Sequence, residues 1–188
     1  MLAYLFWHLP FLRIPPAHYE AALLDFHRDL VGSPPAGLKT CATYRISDVP
    51  WLAGRQVYED WCFVESSAAL DRVNEAAVRP ERWEIHADVA RKMEVGYGGL
   101  YQHLYGNPLA IGGSRAVWLT RPRGIRYEHP LQDIISGTTD FLSCWRRQMV
   151  LGPGHEFVVL GGASLKITPP EGWRALPVER IFLGPAQP

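Results

Sequence analysis

Three histidines, an arginine, an aspartate and two tyrosines are the residues of this chain whose types and placement suit small-molecule chemistry. His8, in LAYLFWHLP, and His103, in GLYQHLYG, lie in strand-like runs and carry imidazoles able to shuttle a proton near neutral pH. Arg45 and Asp60 lie on two neighbouring strand-like runs. Arg45 offers a planar guanidinium fork to a ligand carboxylate or enolate, and Asp60 is placed to position that ligand. Tyr58 and Tyr101 add aromatic walls with a hydroxyl, and His27 sits beside the apolar stripe of a helix. The expected ligand is an apolar or aromatic compound with a carbonyl or carboxylate handle. The expected chemistry is proton transfer at an activated carbon, with His8 or His103 as acid/base and Arg45 holding developing negative charge. The plainer expectation is structural: an Arg45–Asp60 ion pair stitching a hairpin, and histidines hydrogen-bonded into walls.

The bulk numbers exclude several classes. The chain has 188 residues, 47% of them hydrophobic, enough for a substantial core. Its 19 basic and 19 acidic residues cancel without a long run of either sign, so nothing grips a phosphate backbone and nucleic acid is not an expected partner. The opening MLAYLFWHLPFL lacks a basic start, meets Pro10 early and is too short to span a bilayer. It reads as a first strand, so no membrane partner and a cytoplasmic location are expected. Cys41, Cys62 and Cys144 show no CxxC pair and no Cys/His spacing suited to zinc, so no metal and no cofactor is expected, and reduced core thiols are the default. Serine nucleophile elbows and HExxH are absent.

These residues must be positioned by a definite series of elements. Residues 3 to 9 read as a strand ended by Pro10. Tyr19, Ala22, Leu23, Phe26 and Leu30 recur with the one-sided spacing of an amphipathic helix, stopped at Gly32. Residues 39 to 46 and 56 to 64 form a hairpin folded near Trp51 and Leu52, which sets Cys41 opposite Cys62. Ser66 or Ser67 is placed to cap a helix with Leu70, Val73 and Ala77 on its buried stripe; Pro80 opens another stretch reaching about Glu94, and Gly96 to Gly99 break before a last strand. The order βαββαβ predicts an α+β fold with a ferredoxin-like unit over residues 1–106. After a linker at 107–114, residues 115–188 read as a second, degenerate β-rich half: strand AVWLTRP, short helix PLQDIIS, a hairpin turning at Gly152, Pro153 and Gly154, and strand VERIFL. Pro169, Pro170 and Gly172 exclude a long second helix there. Arg146 and Arg147 read as a charged sheet edge.

Alternation divides the strand faces. Ala42, Tyr44, Ile46, Trp61 and Phe63 make an apolar face expected to meet the helices. The opposite face carries Thr43, Arg45, Tyr58, Asp60 and Cys62, joined by Tyr4, Phe6 and His8 and by Tyr101, His103 and Tyr105, and is expected to line a shared cavity. Glu59 is expected to reach solvent.

The Phe26-His27 pair, the loop Pro35-Ala36-Gly37-Leu38 leading to Tyr44, and the step ESSAALDRVNEAA resemble the dimeric α/β-barrel superfamily, in particular its EthD-like members, over residues 1–106. The resemblance implies an α/β barrel closed within one chain or in a homodimer, with a pocket between sheet and helices or inside the barrel. Members of that superfamily include cofactor-free oxygenases, dehydratases, isomerases and haem-binding proteins. The resemblance thus implies either a cofactor-independent enzyme or a haem protein using His27 or His103 as axial ligand. A further alternative is a binding or assembly protein whose aromatic sheet face is a dimer interface.

Overall fold

Strand-forming aromatics and aliphatics at every second position draw out most of the sheet, and proline, glycine and polar clusters divide it. The structure, a computed structural model, describes residues 1–47, 49–52, 55–124, 130–150 and 154–185. Among these, eight strands and four α-helices follow in the order β1 (Leu2–Pro10), α1 (Pro16–Gly32), β2 (Leu38–Ile46), β3 (Val57–Val64), α2 (Ala68–Val78), α3 (Trp83–Lys92), β4 (Met93–Gly106), β5 (Arg115–Thr120), α4 (Pro130–Ser136), β6 (Thr139–Val150), β7 (Phe157–Lys166) and β8 (Arg174–Gly184). No helix among them is long and apolar enough to cross a membrane. Ser67 occupies the N-cap position of α2, but no side-chain cap forms; the first-turn amides of Ala69 and Leu70 bond instead to the carbonyls of Ser66 and Ser67. Where a second long crossover helix would fall, β7 and β8 are joined by the proline-containing segment 167–173, as Pro169 and Pro170 require. Of the expected β6–β7 turn, Gly152 and Pro153 lie outside the described residues.

The sheet closes on itself in the order β1-β3-β2-β8-β5-β7-β6-β4, antiparallel at every pairing given. The two seams are β2 with β8, where Tyr44 meets Phe182, and β4 with β6, where Leu100 meets Met149. Both lie within one chain. An antiparallel barrel of eight strands has an interior just wide enough for side chains, and here tryptophans fill it. Trp7, Trp61, Trp118 and Trp145 are fully buried, with Trp7 edge-on to Trp118 at 5.4 Å and Trp61 edge-on to Trp145 at 5.7 Å. Tyr44, Phe63 and Tyr101 complete the packing.

That filling reverses the expected use of the two faces. The division by alternation holds for β1, β2 and β3, but Ala42, Tyr44, Ile46, Trp61 and Phe63 point into the barrel, and Thr43, Tyr58, Asp60 and Cys62 lie beneath the helices. The large indoles need the closed interior, while α1 to α3 cover the smaller and more polar outer face. β4 does not follow the expected assignment either. Its register pairs Ala3 with Tyr101, so Tyr101 joins Trp7 inside the barrel and not Tyr4 outside it. β4 also runs unbroken through Gly96, Gly98 and Gly99. Those glycines leave room for the rings of β1: a Cβ on Gly98 would stand 2.7 Å from the Tyr4 hydroxyl, and one on Gly96 would collide with Phe6. Arg146 and Arg147 edge nothing, because β6 is paired on both sides; Arg146 reaches Gln102, and Arg147 the Gly154 carbonyl.

Glu59, expected at solvent, is 0% exposed in the barrel interior. Its carboxylate accepts the indole N–H of Trp7 at 2.8 Å and of Trp61 at 2.7 Å, and pairs with Arg180 Nε of β8 at 3.1 Å. The Arg180 guanidinium lies 3.5 Å above the Tyr44 ring and reaches the Gly113 carbonyl. A carboxylate in such a place is tolerated only because every neighbour is a donor or a cation. Removing one partner of a buried pair costs about 3–5 kcal/mol, so Glu59→Ala is expected to lose that much in urea denaturation, and the pairwise replacement Glu59→Leu with Arg180→Met much less. Equal losses for the single and the double variant would show that the charge pairing is not what the barrel needs.

Candidate functional site

The outer face of β1 and β3 forms the floor of a cleft of about 460 Å³ roofed by α1, α2 and α3. Each roof helix contributes through its stripe: Leu23, Phe26 and Leu30 from α1; Leu70, Val73 and Ala77 from α2; His86, Val89 and Ala90 from α3. The floor is Tyr4, Phe6 and His8 of β1 with Asp60 and Cys62 of β3. The lining is mainly apolar, the usual make-up of a small-molecule site; Asp71 and Asn74 of α2 and His86 of α3 are polar, and the other polar groups gather on the floor and the adjoining turn of α1.

Those polar groups converge on one carboxylate. Asp60 Oδ2 lies 3.0 Å from His8 Nε2 and 3.0 Å from His27 Nε2, and Oδ1 accepts the Thr43 hydroxyl at 2.8 Å. The His27 contact is an ion-pair approach without the alignment of a full hydrogen bond. The Tyr19 hydroxyl stands 2.6 Å from His8 Nδ1. An ionised Asp60 accepts only, so His8 donates from Nε2; in the neutral imidazole Nδ1 then accepts the Tyr19 proton. Burial opposes the charge on Asp60, but His27 and His8 outweigh it and hold the carboxyl well below the usual carboxylate range. Burial likewise disfavours an imidazolium at His27; the charge and hydrogen bonding of Asp60, with Cys62, overcome that and raise its pKa. Burial, then the Asp60 charge, raises the Tyr19 phenol. The His8 ring is stacked 5.2 Å from Phe6 and 5.8 Å from Tyr58.

Of the residues singled out from the sequence, His8, Asp60, His27 and Tyr58 meet here. Arg45 does not pair with Asp60. Although β2 and β3 place the two on a diagonal, its guanidinium turns outward to Glu20 at 3.1 Å, and Glu20 also accepts the Tyr58 hydroxyl at 3.0 Å. A half-exposed arginine gains more from a carboxylate at the rim than from desolvation beside one that two imidazoles already neutralise. His103 and Tyr101 are absent from the cleft: His103 sits with its ring 5.0 Å from Trp145 and Tyr101 fills the barrel. Tyr105, expected beside them, is exposed.

Sequence reading put Thr43 on the cavity face and Tyr19 on the helical stripe, but gave neither of them, nor His86, a part in the site. Tyr19, Leu23 and His27 recur at every fourth position, which places all three on one face of α1 and is a signal for Tyr19. His86 of α3 lines the cleft 5.6 Å from Phe26, and burial lowers its pKa. Beneath the polar end, Cys41 and Cys62 face each other across β2 and β3 as the hairpin register requires, their sulfurs 2.9 Å apart and unbonded. Cys144 lies apart in the second core cluster, its thiol pushed up to about 12 by burial.

Compared with known proteins, the chain matches no protein-family model and no curated protein.

A hydrogen bond to a charged group contributes about 1.5–3 kcal/mol. Thr43→Val, which removes the donor to Asp60 Oδ1 and little volume, is expected to lose that amount in chemical denaturation, and Thr43→Ser to keep most of it. Identical midpoints for the valine variant and the native chain would mean that Asp60 is not held from β2.

Proposed function

We propose that this chain is a small-molecule-binding barrel protein whose ligand occupies the cleft between the outer sheet face and helices α1 to α3. The observation that carries this reading is the Asp60 carboxylate set between two imidazoles in the wall of a mainly apolar cleft of about 460 Å³. A volume of this size holds a compound of drug-like dimensions. Its apolar body would lie along Phe6, Phe26 and Val89, with a carbonyl or carboxylate handle toward His8.

We further propose that the cleft supports cofactor-independent proton transfer at a carbon next to that carbonyl. His8 would act as acid/base through Nδ1, the nitrogen not committed to Asp60, with the ligand displacing the Tyr19 hydroxyl that stands on it. Asp60 fixes its tautomer and stabilises the imidazolium once the proton is taken. Arg45, paired with Glu20 at the margin, is not needed to hold the handle. The strand order β4-β1-β3-β2, crossed by α1 and by α2 with α3, supports a ferredoxin-like reading of residues 1–106, and β8-β5-β7-β6 repeats that order in residues 115–188. A haem reading through His103 is disfavoured by the placement of that ring against Trp145, away from the cleft.

The test is ligand-observed NMR with a panel of aromatic ketones and carboxylates, followed by deuterium exchange at the α-carbon of any ketone that binds. Ala77→Trp, which fills the cleft from α2, is expected to weaken binding at least tenfold. His8→Gln is expected to slow the exchange by about 10²–10⁴-fold, the usual contribution of a positioned acid/base, with binding little changed. Binding unaffected by Ala77→Trp would remove the cleft from the proposal. Binding without any catalysed exchange would leave a carrier and no enzyme.

A further inference from the structure

The thiol pair behind the cleft is left without a task by that reading. Cys41 and Cys62 are buried, directly opposed and unbonded, and a ring nitrogen of His27 joins them so that the three donor atoms all lie within 4.8 Å of one another. Both ring nitrogens of His27 are buried, and neither makes an aligned hydrogen bond among the described residues. Two soft sulfurs and an imidazole around one point, with an unsatisfied nitrogen among them, are the donor set of a thiophilic metal ion.

We propose that Cys41, Cys62 and His27 bind zinc(II), with the fourth coordination position open toward the cleft. Tetrahedral zinc, at about 2.3 Å from sulfur and 2.0–2.1 Å from nitrogen, sets its ligand atoms roughly 3.5–3.8 Å apart. The sulfurs now stand 2.9 Å apart and the widest donor separation is within 4.8 Å, so small side-chain rotations bring all three into range. Two thiolates and a neutral imidazole leave the bound ion without net charge, which a buried site requires. Cys62, His27 and Asp60 all line the cleft, and this provides the path by which an ion arrives. With Nδ1 as the ligating nitrogen, Asp60, 3.0 Å from His27 Nε2, stands where a carboxylate orients a ligating imidazole. Binding is an exchange with no redox step: zinc–sulfur bonds form and the thiol protons pass to solvent.

The site goes beyond the proposed function and does not depend on it, because an ion held here needs no organic ligand. Reduced, chelator-stripped protein is titrated with cobalt(II) and then zinc(II). One cobalt per chain is expected, with a thiolate-to-cobalt charge-transfer band in the near ultraviolet and tetrahedral bands in the visible, all erased by one equivalent of zinc. Each of Cys41→Ser and Cys62→Ser is expected to diminish the charge-transfer band, and Asp60→Asn to weaken zinc binding about 10–100-fold, as loss of an orienting partner does. Ala77→Trp, which closes the cleft to an organic compound, is expected to leave the cobalt spectrum at equilibrium unchanged, so the two proposals fail separately. A reduced native chain without a charge-transfer band overturns the site with no variant needed. So does a spectrum that survives replacement of both cysteines, which would mark an adventitious ion only.

Discussion

The ion pair between Glu59 and Arg180 is the constraint around which the barrel is built. It joins β3 to β8, two strands more than a hundred residues apart in the chain, and it sits among aromatic rings where neither charge meets water. Such a pair is poor evidence of stability in itself, since two ions have been taken out of solvent to make it. Its value lies in specification. With the indoles of Trp7 and Trp61 donating to one carboxylate, and Tyr44 beneath the guanidinium, few other alignments of these strands bring these groups together. The segment 107–114 takes part as well, through the carbonyl of Gly113 and through Ile111 on the core.

A filled interior dictates where a ligand can go. Eight strands enclose space for side chains and little more, and four tryptophans use it. Any sizeable cavity tied to β1 and β3 must then form on their outer face, under helices too loosely spaced to close over it. That face carries His8, Asp60 and Cys62 beside Tyr4 and Phe6, so the floor of the cleft mixes polar groups with aromatic rings under a largely apolar roof. The glycines of β4 add to this arrangement, since without Cβ atoms at 96 and 98 the rings of Phe6 and Tyr4 can lie flat across the neighbouring strand. The barrel interior and the outer cleft are thus two consequences of one alternating pattern, and Glu59 and Asp60, adjacent in sequence, serve one each.

Much of this was legible in the residues alone. The helical stripe of α1, the strands on either side of Trp51, the Cys41–Cys62 opposition and the proline-broken segment before β8 follow from short-range rules, because periodicity, turn chemistry and register act over a few residues. The separation of odd from even side chains was also legible on the first three strands. The error lay in the destination of each face. Alternation shows which side chains travel together, not whether helices or a closing sheet await them, and bulk decides that only when all four tryptophans meet. β4 failed for a related reason: its parity against β1 is set by pairing Ala3 with Tyr101, a contact spanning nearly a hundred residues.

The amino-acid sequence by itself therefore determined the elements, the partition of each early strand into two faces and the identity of His8, His27 and Asp60 as groups worth placing. Tertiary structure alone decided that Glu59 is an interior ion, that Arg45 turns to Glu20, that His103 packs against Trp145 away from the cleft, and that a histidine and two cysteines without any motif spacing share one point. The physical reason is range. Backbone geometry and side-chain period are local, whereas charge pairing and ligand clusters depend on which distant strands and helices barrel closure brings within a few ångströms.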